Sequence, residues 1–198
     1  RHTAGLTYEF LGTAMVQRQY AQAKVNSRDI SNAEFSRRLA AIPLMHPPGS
    51  VWEYSRATDV LGCVVEAISG MTLGAFLRSA ILHPLGMYET DFSVPSAHHH
   101  RIAEPFAHDP DGGIPMRVFD PRQVPAMEAG GGGLMSTAAD YARFLQFMLN
   151  KGELGGVRGH QGFTEVADAN GRQLGYAALA VLESMNAPAT DFTYAGPV

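Results

Sequence analysis

The sequence has little of what several chemistries require. Its one cysteine, Cys63, excludes a disulfide framework or a cysteine zinc cluster built from this chain alone. Cys63 lies in an apolar helical pattern and reads as a buried structural thiol. Lysine occurs only at Lys24 and Lys151, neither with a serine three residues before it, and no Gly-x-Ser-x-Gly elbow occurs, so an activated serine nucleophile is not recognisable in the chain. Positive charge is in deficit: 15 Lys and Arg face 19 Asp and Glu, a net −4, which excludes a basic field that gathers nucleic acid or anionic lipid. No apolar run approaches the roughly 18 residues that span a bilayer. The opening "RHTAGLTYEF" has no Met and no signal-peptide pattern.

What is present is globular: 45% of the residues are apolar and 17% charged, enough for one domain with a core or for part of a larger one. Helical signals dominate residues 1–154. Ser31 and Glu34 form a capping box ahead of "NAEFSRRLAAIP", which Pro43 ends. Val60, Leu61, Val64, Val65 and Ile68 repeat at one-face spacing until Ser69-Gly70 stops them. Thr72 caps a further helix whose stripe is Leu73, Phe76, Leu77, Ala80 and Ile81. Residues 89–128 carry Pro, Gly, His and Asp without periodicity and read as a long loop with at most short strands. Beyond the four glycines of "EAGGGGLM", Ser136 or Thr137 caps a helix with Tyr141, Phe144, Leu145, Met148 and Leu149 on one face. Residues 155–198 read as a glycine-rich connection and the start of a sheet part, with a strand expected at Leu174–Leu182. That strand needs partners, so both ends read as cut, with sheet expected outside them.

Several motifs are weaker than they look. Gly130–Gly133 are not followed by the Lys-Ser or Lys-Thr of a phosphate loop and do not fit a dinucleotide fingerprint; a loop packed tightly beside a cleft suits them better. His98-His99-His100 and His108-Asp109 invite a metal, but consecutive histidines point in different directions and no His-Glu-x-x-His helix occurs, so no metal site is assigned. His160-Gln161-Gly162 has the His-x-Gly form of a Lys-Thr-Gly strand motif, yet it stands in a glycine-rich turn and reads as a chance match. Tyr54, between Trp52 and a helix, is either a packing residue or a proton carrier. A phenol has a reference pKa near 10 and acts as a base only beside a cation or within a relay.

Several stretches in order resemble the serine β-lactamase-like hydrolases, which comprise class C β-lactamases, family VIII carboxylesterases and D,D-peptidases. "RHTAGL" resembles the threonine-rich turn that follows their nucleophile helix, commonly His-Thr-Ser-Gly-Leu. "PPGSVWEYSRATDVLGCVVEAISGMTLGAFLRSAILHPLGM" is similar to their Pro-Gly, Tyr-Ser, helix, Ser-Gly and Pro-Leu-Gly-Met series. "DPDGG" at Asp109–Gly113 and "GGGGLMSTAADYARFLQFMLNKGEL" also fit. The likeness covers most of Arg1 to Leu154, and the carboxylesterase branch is the most similar.

The resemblance implies an α+β, β-lactamase/transpeptidase-like fold in two parts, of which this chain holds the helical one. It also implies acyl transfer without metal or cofactor on a small ester or β-lactam-like substrate: a Ser-x-x-Lys serine attacks the carbonyl, Lys and Tyr move the proton, and water releases the acyl group. The matching tyrosine is Tyr54. The second motif, Tyr-x-Asn in the family, is here Tyr54-Ser55-Arg56, which lacks the amide that orients amide substrates and favours esters. Arg56 either grips a substrate carboxylate or faces solvent, and Gly131, Gly132 and Gly133 line the substrate side. Ser-x-x-Lys is expected before Arg1 and the third motif after Val198, so the chain alone is expected to be inactive. The alternatives are a β-lactamase or D,D-carboxypeptidase, a non-catalytic binding module on the same scaffold, and, last, a metal-dependent hydrolase.

Overall fold

The computed structural model describes residues 2–106, 111–112 and 119–158. They form two compact units, residues 2–83 with 89–136, and residues 84–88 with 137–158. The strand expected at Leu174–Leu182, the His160 motif, His108, Asp109 and most of "DPDGG" lie outside the described residues.

The first unit is built on four helices, α1 Met15–Gln22, α2 Asn32–Ala40, α3 Ala57–Ser69 and α4 Leu73–Leu77. Helix α1 was not legible in the sequence, because its inner face includes a glutamine: Val16, Gln17 and Tyr20 are buried. Gln17 is satisfied there, its Oε1 accepting from Ala14 N (3.0 Å) and its Nε2 donating to Thr7 Oγ1 (3.3 Å). Helix α2 starts where the capping signal put it, with Ser31 Oγ accepting from Glu34 N at 3.2 Å. Only that half of the box forms, for the Glu34 carboxylate turns instead to Arg37 and Arg38. The core lies among Val16, Tyr20, Val25, Phe35, Leu39 and Met127.

Helix α3 forms where the one-face spacing put it. It ends at Gly70, whose φ of +68° suits a glycine C-cap. Its inward side, however, carries Asp59, Gly62 and Cys63, while Leu61, Val64 and Ile68 are exposed, Ile68 to 82%. The stripe is therefore split: Val60 packs against the core beside Cys63, Val65 is half-buried, and the other three members lie outside. Helix α4 is capped as expected, Thr72 Oγ1 accepting from Ala75 N. Its last turn, Arg78–Leu82, widens into a π-helical turn with His83 N donating to Arg78 O. The extra residue delays the inward face, so Leu82 is buried while Ala80 is exposed. Within the long segment 89–128 a 3-10 helix, Ser96–Arg101, carries the three histidines, and Asp91 forms a lone antiparallel bridge with Met135.

The second unit contains α5, Ala138–Leu149, capped by Thr137 Oγ1, which accepts from Asp140 N at 3.2 Å. Its buried residues are Asp140, Phe147 and Met148; of the expected stripe Met148 is buried, Phe144 and Leu145 are half-buried, and Tyr141 and Leu149 are about half exposed. The turn before it is clamped to this helix by Arg143 Nε, which donates to Leu85 O at 2.6 Å. A hairpin follows, β1 Glu153–Leu154 and β2 Val157–Arg158. Its loop, Gly155-Gly156, has φ of +56° and +84°, the two left-handed positions that a twisted two-residue hairpin demands.

Candidate active site

Residues 2–7 run beside residues 45–56 and hold the Tyr54 segment in place. Glu53 N donates to His2 O (2.9 Å), Arg56 N to Thr7 O (3.3 Å) and Met45 N to Gly5 O (2.8 Å). The Glu53 carboxylate accepts from Thr7 Oγ1 and lies 2.6 Å from His46 Nε2. The Thr7 bond, followed by His46, holds its carboxyl below the usual range against the opposing effect of burial. Ser55 is fully buried, its N–H donating to His2 Nδ1 at 3.1 Å. Between these anchored neighbours the Tyr54 side chain stands out, 47% exposed. Its ring is propped by His2, with centroids 5.0 Å apart, and by Tyr8 at 4.9 Å. Among the described residues the Tyr54 ring is thus open on an anchored backbone. Trp52, 66% exposed, is not a core residue either.

Tyr8 is buried beside Tyr54, stacked on Phe10 at 4.8 Å. Burial pushes its phenol up to about 12, with Asp59 and Tyr54 adding to the rise and Arg56 opposing it. Tyr8 therefore keeps its proton at neutral pH, and its hydroxyl is available as a hydrogen-bond donor.

Arg56 is held rather than free. Its Nη2 lies 2.6 Å from Glu9 Oε1, its Nη1 3.4 Å from Asp59 Oδ2, and its guanidinium stacks over the Tyr8 ring at 4.7 Å. With 13% of the side chain accessible, it is the centre of a charge network and does not point to solvent. Asp59, 3% exposed, uses its other oxygen to accept from Gly131 N at 2.9 Å. One buried carboxylate thus ties the arginine after Tyr54 to the glycine run.

The glycine run is pinned on several helices. Ala126 N and Met127 N donate to Arg28 O, Asn32 Nδ2 to Glu128 O, and Gly74 N to the Glu128 carboxylate. Gly130 then meets α3 backbone to backbone: a Cβ there would lie 2.3 Å from Thr58 O and 3.0 Å from Gly62 N. Gly133 has φ of +98°, a conformation open to glycine. Behind this loop is a pocket of about 150 Å³ lined by Tyr8, Arg28, Arg56, Asp59, Phe119 and Gly131–Gly133, among others. Arg56 and the three predicted glycines therefore meet in one pocket. Tyr54 is not among its lining residues and adjoins it through Tyr8.

Sequence reasoning missed Tyr8, Glu9, Asp59 and Arg28. Their signals are weak singly, since each acts through a partner distant in sequence. Cys63 is half-buried, donates to Asn32 O at 3.3 Å, and burial pushes its thiol up to about 11, as suits a structural residue.

A family model described as Beta-lactamase matches residues 1–188. The chain belongs to the beta-lactamase family. It is 36% identical over 169 residues to Esterase EstB of Burkholderia gladioli, covering 73% of this chain and 42% of that protein. It is also 36% identical over 160 residues to Protein Rv1367c of Mycobacterium tuberculosis, covering 79% of this chain and 39% of that one. The chain thus spans about two fifths of these relatives' length. Among solved structures, EstCE1, described as a hydrolase with promiscuous acyltransferase activity, superposes with a TM-score of 0.65 at 24% identity, over 79% of this chain and 46% of that one. That likeness establishes the fold, β-lactamase/transpeptidase-like and α+β, of which the described residues supply mainly helices. The relatives that the chain matches thus include an esterase and an acyltransferase.

Proposed function

We propose that this chain is part of a serine esterase that works through an acyl-enzyme, with Tyr54 as a proton carrier. The observation that carries the reading is the open Tyr54 phenol on an anchored backbone, beside the protonated Tyr8 and the glycine-lined pocket, in a chain 36% identical to an esterase. In this reading the Ser and Lys of the Ser-x-x-Lys motif come from sequence outside these 198 residues. The serine attacks the ester carbonyl, its proton passes to the Lys–Tyr54 pair, and Tyr54 returns it to the departing alkoxide. Water then repeats the sequence on the acyl-enzyme. Tyr8 donates toward Tyr54 and stabilises negative charge there, and Arg56, held by Glu9 and Asp59, fixes the pocket wall formed with Gly131, Gly132 and Gly133.

The small pocket favours short acyl esters, since drug-sized ligands use about 300 Å³ or more. An arginine bound to two carboxylates replaces the amide of the family's second motif, so esters are expected to outrun β-lactams. The test is hydrolysis of p-nitrophenyl butyrate and nitrocefin by the natural full-length protein, with Tyr54→Phe as the variant. Loss of a positioned proton carrier lowers turnover roughly 100-fold or more; a variant of near-normal rate refutes the role. The isolated 198-residue chain is expected to turn over neither substrate.

A further inference from the structure

Arg28 stands apart from the other charged groups of the pocket. Arg56 is neutralised by Glu9 and Asp59, and Asp59 is further engaged by Gly131 N. The Arg28 guanidinium makes no ion pair or side-chain hydrogen bond among the described residues. It is half-buried, lies over the Phe119 ring at 4.3 Å, and sits against the glycine run, where a Cβ on Gly133 would be 3.3 Å from its Nη1. Glu9, Asp59, Arg56 and Arg28 sum to zero formal charge, but both carboxylates are engaged by Arg56, and Arg28 is the cation of the four with no carboxylate beside it among the described residues.

The arrangement has a chemical meaning. An aromatic ring under a guanidinium contacts its face and leaves the in-plane N–H groups on its edge free. Those donors match the two oxygens of a carboxylate. Partial burial has already stripped part of the cation's water, so an anion arriving there replaces lost hydration. Burial also pulls the Arg28 pKa down, although a guanidinium stays charged at any working pH.

We propose that Arg28 is the anion-binding group of this pocket, and that it selects small esters bearing a carboxylate on a short chain from the reacting ester. The inference rests on the hydrolase reading above for its substrate class. Arg56 in turn is a positioning residue, which keeps Asp59 and the glycine run in register beneath Arg28.

The experiment compares mono-4-nitrophenyl glutarate with p-nitrophenyl butyrate, which share a leaving group and differ in the terminal charge, on the natural full-length protein and on Arg28→Gln. The ratio of kcat/KM for the two esters is expected to fall about tenfold or more in the variant, through KM for the glutarate ester. Arg28→Lys, which keeps the charge and loses the fork, is expected to fall less, and it stands in should the glutamine variant not fold. A ratio unchanged in both variants overturns the assignment. Calorimetric titration with glutarate supplies a readout independent of turnover: weaker binding in Arg28→Gln supports the site, and equal binding overturns it. Absence of turnover by the unmodified protein counts against the hydrolase reading, whereas turnover with an unchanged ratio and unchanged glutarate binding counts against Arg28 alone.

Discussion

The contact between Gly130 and α3 allows a test with a built-in control. In Gly130→Ala the new Cβ would sit 2.3 Å from Thr58 O, and ordinary contact begins near 3.4 Å, so loop and helix must part by about 1.1 Å. Both partners are backbone, and no side chain can swing away: Gly62, the next neighbour, has none. Overpacking of this kind costs roughly 1–3 kcal/mol. A shift of that size also stretches the Gly131 N to Asp59 bond from 2.9 Å, and a hydrogen bond to a buried carboxylate contributes roughly 1.5–3 kcal/mol. The expected total is about 2.5–6 kcal/mol. Gly132→Ala places its Cβ where nothing lies within 4 Å and where φ is not positive, so it should fall within about 0.5 kcal/mol of the parent. Urea unfolding of the natural full-length protein and both variants reads the difference as a shift in midpoint at constant slope. In the surviving folded fraction, a misplacement near 1 Å is expected to cut ester turnover about 100-fold. Equal midpoints for the two variants would refute the packing argument, because the two glycines differ only in what surrounds them.

Two further outcomes follow from the same residues. Tyr8→Phe removes a buried hydroxyl that stays protonated beside Tyr54, so ester turnover should drop about tenfold and its alkaline limb should move; an unchanged pH–rate profile excludes a part for Tyr8 in the proton path. Glu53, with its carboxyl depressed by Thr7 and His46, contributes stability that is complete above the unfolded carboxylate value near 4.3 and is lost as pH falls through the lower folded value. Urea midpoints between pH 6 and 3 should therefore decline less steeply in Glu53→Gln, and parallel declines in the two proteins count against the link.

The sequence disclosed elements where a local rule is decisive and misled where packing decides. Ser31, Thr72 and Thr137 cap the helices they begin, and Gly70 ends α3, because capping is settled within one turn. The apolar spacing of α3 marked a helix without fixing which residues are buried: Gly62 and Cys63 face inward where Gly130 approaches, Val60 packs on the core, and Leu61, Val64 and Ile68 face out. Periodicity states that a helix has two faces and does not say which one the fold uses. Helix α1 failed the opposite way, since a buried Gln17 paired with Thr7 breaks the pattern that marks an inner face.

The site shows the same division. Tyr54 and the glycines stand on short stretches with a shape of their own, and a match in order along the chain was enough to nominate them as candidates. Arg56 could not be assigned between substrate and solvent from its neighbours in sequence; the structure turns it away from solvent onto Glu9 and Asp59, the former 47 residues away. A lone arginine in a sequence carries its charge but not its partners, and only the partners decide whether that charge is free. Arg28 illustrates the converse, an unremarkable residue in "NSRDIS" whose guanidinium has a ring beneath it and no carboxylate beside it among the described residues. Two arginines in one pocket therefore divide the work, one neutralised to hold the wall and one left charged to meet a ligand. Exchanging their partners, not their identities, would exchange their roles.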